Sequence, residues 1–266
     1  MFTRETGRRA LDRAFRLSGL KRYYRPSGAR CPIVLYHGVS DDPGPWDVTP
    51  DEFRRQISWF DRTFDLLSVS EATARWRTDE LPPRPAVVTF DDGLASTIEH
   101  ALPVLESHGI AATHYIAPGL LGDRFEGSEV MARGDVAELH DRGQEIGAHT
   151  MTHPDLTVVS RERAREEIAD PREALAEITG ETPRSFAYPY GAFDPELATI
   201  VETAGYETAT TVVASDVVDF EARFSIPRLP LRRDHDLNAV RSIVNGDRRW
   251  QQASAAFAAR IRPTTT

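Results

Sequence analysis

Two adjacent carboxylates, Asp91 and Asp92, mark the stretch of the chain that is best suited to chemistry. They follow an apolar run, 86–88, that predicts a buried strand, and Gly93 lets the backbone turn sharply after them. Since successive side chains of a strand point to opposite sides, we expect the two carboxylates to do different jobs. The alternative interpretation is a solvated turn, because Asp-Gly is a common turn dipeptide.

Two histidines, His149 and His153, stand four residues apart after another predicted strand, 145–148. If this segment curls into a turn, both imidazoles can bind one metal ion. One carboxylate and two imidazoles give three ligands and leave a position for water, which is typical of a catalytic metal site. The alternative is a pair of surface histidines ahead of a turn at Pro154.

A third candidate segment, 186–194, reads Phe-Ala-Tyr-Pro-Tyr-Gly-Ala-Phe-Asp and also follows a predicted strand. Its Tyr-Pro-Tyr-Gly core predicts a rigid turn with aromatic walls. We expect Tyr188, Tyr190 and Phe193 to enclose a sugar or an acyl group. The alternative is a well-packed loop, which the spacing alone favours.

All three segments follow strands in a chain where predicted strands and helices alternate. The predicted strands are 32–37, 66–68, 86–88, 112–117, 145–148, 185–188, 208–213 and 227–231, and the predicted helices are 50–62, 70–78, 94–108, 133–142, 161–179, 195–204 and a tail from 236. This alternation predicts an α/β fold with a parallel sheet or barrel. The carboxyl ends of such strands share one face, so the acid pair and the histidine pair are expected to open on it together.

The composition limits the classes of function. The 266 residues carry a net charge of −9, which argues against a nucleic-acid-binding role. The single cysteine, Cys31, excludes an internal disulfide framework and a multi-cysteine metal site. We expect it to be a small buried hydrophobe.

The first 30 residues differ from the rest, with nine basic and two acidic side chains. Residues 6–22 predict an amphipathic helix that either lies on an anionic membrane surface or packs on the domain with a solvated basic face. We therefore divide the chain into a basic helical extension, 1–30, and a barrel domain, 31–266. No apolar run has the length of a transmembrane helix or a signal peptide, so the expected location is the cytoplasm, with peripheral contact at the inner membrane face.

The segments TFDDG, HTMTH and FAYPYG occur in that order and resemble the successive motifs of the polysaccharide deacetylases, the NodB-homology domain of carbohydrate esterase family four. The flanking stretches LYHGV and EIGAHTMTHPDL are similar to one branch of that family. The resemblance covers roughly residues 31–232, and the three motifs together are specific where each alone is not.

The resemblance implies a distorted (β/α) barrel of seven strands and metal-dependent removal of acetyl groups from N-acetylated sugars of a polysaccharide. It implies that Asp91 is the base, that Asp92, His149 and His153 bind a divalent metal, and that the Tyr190 backbone N–H contributes to an oxyanion hole. Zinc is the expected metal, with cobalt or nickel as alternatives. The alternative functions are hydrolysis of another amide or ester, such as an O-acetyl sugar or a small cyclic amide, and glycan binding without turnover.

The general acid is the role for which this chain departs from the family pattern. Its third motif has no arginine, and it has no Leu-x-His near the C-terminus. We predict that His37, at the end of the first strand, is the acid, since an imidazole titrates close to neutral pH. His235 lies in a charged run, 232–236, and is expected to be solvated surface. The alternative for His37 is a core histidine that is bonded to a backbone carbonyl.

Overall fold

The computed structural model describes residues 29–246. The predicted helix 6–22 therefore lies outside the described residues. Within the described part of the chain, no helix combines the length and the apolar character needed to cross a bilayer.

Eight strands form the main sheet, and every pairing within it is parallel. They are β2 (Ile33–Tyr36), β3 (Asp65–Leu67), β4 (Pro85–Phe90), β5 (Thr113–Ile116), β8 (Glu145–Ala148), β9 (Ser185–Ala187), β10 (Thr208–Thr210) and β12 (Leu229–Pro230). Seven of them follow the order β10-β9-β8-β5-β4-β2-β12, and β3 pairs with the start of β4. A bridge between Thr210 and Ile226 joins the two ends of this order, so the sheet curls into a distorted barrel. The predicted seven-stranded barrel is confirmed.

Four short strands lie outside the barrel sheet. Strands β1 (Ala29–Arg30) and β11 (Val217–Val218) pair antiparallel, as do β6 (Arg124–Phe125) and β7 (Ser128–Glu129). Residues 29 and 30, just ahead of the expected domain start at 31, thus pair with β11. The second pair forms a hairpin that reaches the carboxyl end of the barrel.

Six α-helices lie between the described strands and a seventh follows β12: α1 (Pro50–Thr63), α2 (Val69–Arg77), α3 (Leu102–Ser107), α4 (Arg133–Asp141), α5 (Arg161–Thr179), α6 (Pro195–Thr203) and α7 (Leu237–Val244). The expected cap of the first helix is present, because Thr49 Oγ1 accepts the Glu52 N–H at 3.3 Å. The predicted helix 94–108 differs from its expectation. It enters through a π-helical turn, Thr97–Ala101, and is α-helical only from Leu102.

The core lies between the barrel wall and these helices. All six residues of β4 are buried, as its apolar sequence predicts for a strand that is covered on both faces. Cys31 is fully buried and packs among Ile33, Leu67 and Val69, which confirms the expected hydrophobic role. The rigid strands thereby fix the positions at which the motif residues leave the sheet.

Candidate active site

The two adjacent carboxylates separate because the backbone changes conformation between them. The Asp91 N–H still donates to the Tyr36 carbonyl at 3.0 Å, so Asp91 continues the pairing of β4 with β2. Asp92 has φ 68°, in the left-handed region that a non-glycine residue seldom adopts. The backbone therefore turns between the two residues that follow β4, and the expected division of their environments is observed.

Asp92, His149 and His153 meet at the carboxyl end of the barrel. Asp92 Oδ1 lies 3.4 Å from His149 Nε2 and 3.3 Å from His153 Nε2, and one ligand atom from each residue lies within 4.8 Å of the others. All three side chains are buried, and Oδ1 of Asp92 accepts no hydrogen bond. A buried carboxylate oxygen that faces two imidazole nitrogens fits a divalent cation, which would supply the missing partner.

The charge of Asp92 suits this role. Burial alone raises the pKa of its carboxyl, but the interactions with His149 and His153 outweigh burial and hold the pKa well below its ordinary value. His149 Nδ1 lies 2.8 Å from the Ala187 carbonyl and donates to it in the tautomer that leaves Nε2 free to bind a metal. This contact with the neighbouring strand β9 was not predicted from the sequence.

Asp91 has a different partner, Arg228, which the sequence analysis missed. The fully buried guanidinium donates to both carboxylate oxygens, at 2.6 Å to Oδ1 and 2.7 Å to Oδ2. It also donates to the Thr211 carbonyl at 3.1 Å. Burial raises the pKa of Asp91. The charges of Arg228 and His149 together lower it by more than burial raises it, so the pKa lies below its ordinary value.

No local signal identifies Arg228 in the sequence. It lies 137 residues after Asp91 and just ahead of β12, in a segment whose only predicted role was that of a strand. The third motif lacks an arginine, and the structure supplies one to Asp91 from this other strand. Only the curling of the sheet brings the two residues together.

A cavity opens directly over the two acids. Its lining includes Trp46, Phe125 and Tyr190, with His37, Asp47, Glu126 and Val212 also at its surface. Tyr190 has φ 57°, and its ring meets the edge of His153 with ring centroids 5.0 Å apart. The centroid of the Phe125 ring, on the hairpin β6–β7, lies 4.6 Å from the centroid of the His153 ring. The cavity thus has aromatic side chains around a polar floor.

Two of the predicted wall residues are not part of this cavity. Tyr188 is fully buried in the core, where its hydroxyl donates to the Phe224 carbonyl at 3.1 Å. Phe193 stacks on Tyr188, with ring centroids 5.0 Å apart, and packs against the same core cluster. Of the three aromatic residues expected to enclose the substrate, only Tyr190 lines this cavity, because the turn at Tyr190 directs that residue alone to it. Trp46 and Phe125 occupy the walls instead.

The two histidines considered for the general acid lie in different places. His37 is half-buried and lines the cavity, and its Nδ1 has no hydrogen-bond partner among the described residues. The alternative prediction was a core histidine bonded to a backbone carbonyl, whereas His37 lies at the cavity surface and its Nδ1 makes no such bond within residues 29–246. The ring of Trp46 lies 5.3 Å from the His37 ring between centroids.

His235 is not the solvated residue that its charged neighbours suggested. It is 1% exposed, and its backbone carbonyl accepts a hydrogen bond from Gln56 of α1 at 2.8 Å. Burial lowers the pKa of its imidazole to about 4. The prediction of a surface histidine was wrong because packing against α1 removes it from water. It is not among the residues that line the cavity.

Backbone strain is concentrated at this face. Six non-glycine residues of the described chain have positive φ, and four of them are Asp92, Thr150, His153 and Tyr190. Such conformations each cost about 1–3 kcal/mol and persist only where the surroundings enforce them. Their concentration in the three motif segments indicates that the arrangement of the ligands is imposed by the fold.

Comparisons with known proteins give a consistent result. A family model described as polysaccharide deacetylase matches residues 78–209. The Bacillus subtilis (strain 168) protein YxkH, whose name places it among the polysaccharide deacetylases, is 26% identical over 185 residues, which are 69% of this chain and 64% of the relative. The chain thus spans just under two thirds of that relative. The Staphylococcus aureus (strain MRSA252) poly-β-1,6-N-acetyl-D-glucosamine N-deacetylase is 21% identical over 214 residues, 76% of this chain and 73% of the relative.

Solved structures match the barrel as a whole. The Streptococcus pyogenes deacetylase PplD in complex with acetate has a TM-score of 0.72 at 21% identity and covers 80% of this chain and 97% of its own. IcaB from Ammonifex degensii has a TM-score of 0.72 at 23% identity, with 81% and 97% covered. At these identities the likeness shows a shared fold.

Proposed function

The chain belongs to the polysaccharide deacetylase family, and from this membership we propose that it hydrolyses the N-acetyl groups of amino-sugar units in a polysaccharide. One observation carries the proposal. A buried ligand set, Asp92, His149 and His153, adjoins a second ionised carboxylate, Asp91, at the floor of an aromatic-lined cavity. A binding site for a sugar has no use for this second carboxylate next to a metal site.

The metal site is formed by Asp92 Oδ1 and the Nε2 atoms of the two histidines. We propose zinc, because one carboxylate and two imidazoles are ligands that it accepts with a position left open. When bound, such an ion lowers the pKa of water toward about 7 and polarises a carbonyl oxygen. The lowered pKa of Asp92 keeps its carboxylate in the charged form that this role requires.

Asp91 is proposed as the general base. Its lowered pKa keeps it ionised at neutral pH, and each of its oxygens retains a lone pair beyond the one that faces Arg228. The two-point contact with Arg228 prevents the carboxylate from rotating, so a lone pair stays directed at the proton to be accepted. Arg228 therefore acts through Asp91 as a positioning residue.

The remaining roles concern charge and the leaving group. The backbone N–H of Tyr190, at the turn that lines the cavity, is proposed to donate to the oxygen of the acetyl group as negative charge develops there. His37, on the same cavity, is proposed to protonate the departing amine. His235 is poorly suited to this role. An imidazole with a pKa of about 4 is neutral at neutral pH, so it is not in the protonated form that a general acid needs.

The shape of the cavity supports a sugar as substrate. Trp46 and Phe125 present aromatic surfaces beside the polar floor, and such surfaces combine an apolar face with few rotatable bonds. The S. aureus relative is named for a polymer of N-acetylglucosamine. We therefore propose N-acetylglucosamine units as the first substrate class to test.

The test is release of acetate from oligomers of N-acetylglucosamine, with β-1,4 and β-1,6 linkages assayed in parallel. We expect release that stops after treatment with a chelator and returns on addition of Zn²⁺, and that is slowed by about 10²–10⁴-fold in Asp91→Asn. Release only from O-acetylated sugars would assign the same site to ester hydrolysis. Saturable glycan binding without any release in the Zn²⁺-loaded protein would contradict the enzymatic proposal.

Membrane contact through residues 6–22 is a separate proposal that rests on the basic, amphipathic sequence of this segment. Flotation with liposomes that contain anionic lipid would test it. We expect the full-length chain to float at low salt, and a variant that lacks the first 30 residues to stay behind. Equal, salt-insensitive partitioning of both proteins would contradict the proposal.

A further inference from the structure

Glu167 is a buried carboxylate that lies outside the three motifs. It belongs to the first half of α5, and its side chain has no exposed surface. A buried acid needs hydrogen-bond donors on its oxygens, because an unpaired charge inside a protein is costly. The positions of its donors therefore show what the residue does.

Three of its four donors come from the turn between the two histidine ligands. The backbone N–H groups of Met151 and Thr152 donate to Glu167 Oε2 at 2.7 and 2.8 Å. The Thr152 hydroxyl donates to Oε1, and so does the guanidinium of Arg163 one helical turn earlier. Successive backbone N–H groups that converge on one oxygen form an anion-binding concavity, which Glu167 fills from within the protein.

This turn has a conformation that needs such support. Thr150 and His153 have φ 62° and 61°, and the residues between them are the two that Glu167 holds. The Thr150 hydroxyl oxygen accepts the His153 N–H at 2.9 Å, and the Met151 carbonyl accepts the Gly119 N–H at 2.9 Å. The turn is thus held from α5 on one side and from the loop after β5 on the other.

We infer that Glu167 is a positioning residue for the metal ligands His149 and His153, an inference that rests on the metal site of the proposed function. The carboxylate does not reach the ligand atoms. It fixes the backbone between them, so that both Nε2 atoms face Asp92 Oδ1 at 3.3–3.4 Å. Groups that orient metal ligands in this way typically contribute about 10–100-fold in metal affinity.

The principal test is the Zn²⁺ affinity of Glu167→Gln, measured by calorimetric titration of the metal-free protein. The amide keeps the size of the side chain but replaces one acceptor oxygen by a donor, so it cannot accept from Thr152 and Arg163 together with both N–H groups. We expect affinity to fall about 10–100-fold. Glu166→Gln is the matched control. Glu166 is exposed, and its carboxylate pairs with the same Arg163 at 3.2 Å rather than with the turn.

A second measurement separates positioning from a general loss of stability. The visible absorption of the Co²⁺-loaded protein depends on the number and geometry of its ligands. At saturating Co²⁺ we expect Glu167→Gln to change this spectrum and Glu166→Gln to retain that of the wild type. A lower Tm of the metal-free protein with unchanged Zn²⁺ affinity and an unchanged Co²⁺ spectrum would overturn the inference.

If Glu167→Gln does not fold, Thr152→Val provides the same test more gently, because it removes one of the donors and leaves the carboxylate with both N–H groups. We expect Thr152→Val to lower Zn²⁺ affinity roughly threefold, less than Glu167→Gln, because only one hydrogen bond to the carboxylate is lost. Thr152→Ser, which keeps the hydroxyl, should retain the affinity of the wild type. Equal affinity in Val and Ser variants would overturn the inference. Intact Zn²⁺ binding without acetate release in the wild type would instead refute the proposed reaction and leave the role of Glu167 standing.

Discussion

Glu145 at the amino end of the barrel and Asp92 at the carboxyl end differ in how their carboxylate oxygens are bonded, and Glu145 is half-buried whereas Asp92 is buried. At the amino end, Glu145 begins β8 and accepts four hydrogen bonds, from the N–H and hydroxyl of Ser70 and the hydroxyls of Thr113 and Ser185, at 2.8–3.2 Å. At the carboxyl end, Asp92 Oδ1 is buried and accepts none. The Glu145 carboxylate links β5, β8, β9 and α2 through its hydrogen bonds. The Asp92 oxygen lacks such partners in the described part of the chain, which suits a metal ligand. The contrast distinguishes the proposed metal ligand from an acid with a structural role. Asp91, whose two oxygens accept hydrogen bonds from Arg228, is assigned by its place at the floor of the cavity instead.

The largest expected effect comes from removing the unsatisfied acid. Asp92→Ala should lower Zn²⁺ affinity by at least about 100-fold, more than the loss of a group that merely orients a ligand, and should abolish acetate release. Calorimetric titration and an acetate assay would measure the two effects. Glu145→Gln is the control from the other end of the barrel, and its Zn²⁺ affinity should match that of the wild type. Comparable losses in both variants would remove the distinction between the two ends.

Asp91→Asn should affect the reaction but not the metal. A general base contributes about 10²–10⁴-fold to rate, and the amide cannot accept the proton. We therefore expect kcat to fall by that factor while Zn²⁺ affinity stays within a few-fold of the wild type. A metal-free variant, or one with near-normal kcat, would show that the two adjacent acids have been assigned the wrong roles.

His37→Ala should discriminate between substrates. Loss of the acid should lower the rate on an N-acetyl substrate by about 10²-fold or more, yet spare an activated ester whose leaving group barely needs a proton. His235→Ala should show no such split between the two substrates, since His235 lies against α1. If the split appeared in His235→Ala and not in His37→Ala, the acid would be the buried histidine.

A smaller effect, on the pH dependence of stability, is expected from His114, which lies on β5 in the barrel wall. Its ring stacks on Phe90, and burial lowers its pKa from 6.5 to about 4. Between these values the unfolded chain binds a proton that the folded protein does not, so stability falls as pH drops from about 6.5 to 4. From pH 7.5 to 4.5 this group should contribute a loss of roughly 2 kcal/mol.

Urea unfolding at the two pH values would measure this loss, and His114→Phe should reduce it by the same amount, because phenylalanine keeps the ring and cannot titrate. An unchanged difference between the two pH values would mean that His114 is protonated in the folded protein as readily as in the unfolded chain.

The smallest expected effect is on stability at the amino end. Glu145→Gln should lower the free energy of unfolding by about 1–2 kcal/mol, because the amide can accept fewer of the four hydrogen bonds. Acetate release should be retained when assayed well below the Tm. Loss of Zn²⁺ affinity in this variant would show that the amino end also shapes the metal site.

Much of the fold was predictable from local sequence. Helix α5 was predicted with the bounds observed, 161–179. In the structure Ser160 caps its start, and Gly180, whose φ is 77°, ends it. The apolar run of β4 identified a strand that is buried on both faces. The start of α3 was missed, because nothing in its composition signals the π-helical turn that precedes it.

The sequence by itself also determined which residue types leave the strands at the carboxyl face. Asp91, Asp92, His149 and His153 follow strands that must be parallel, so their convergence needed only the alternation of strands and helices. Local spacing is enough for this, because strand direction and the end of each strand are both local properties.

Only the tertiary structure decided which partner each of these residues meets. Arg228 bonds to Asp91, and Glu167 bonds to the turn after His149. The periodicity of polar and apolar residues does not predict either contact. The same limit explains why Tyr188 was placed at the cavity and His235 on the surface, although both are buried. Burial and pairing depend on residues that are distant in sequence and become neighbours only when the sheet curls and the helices pack against it.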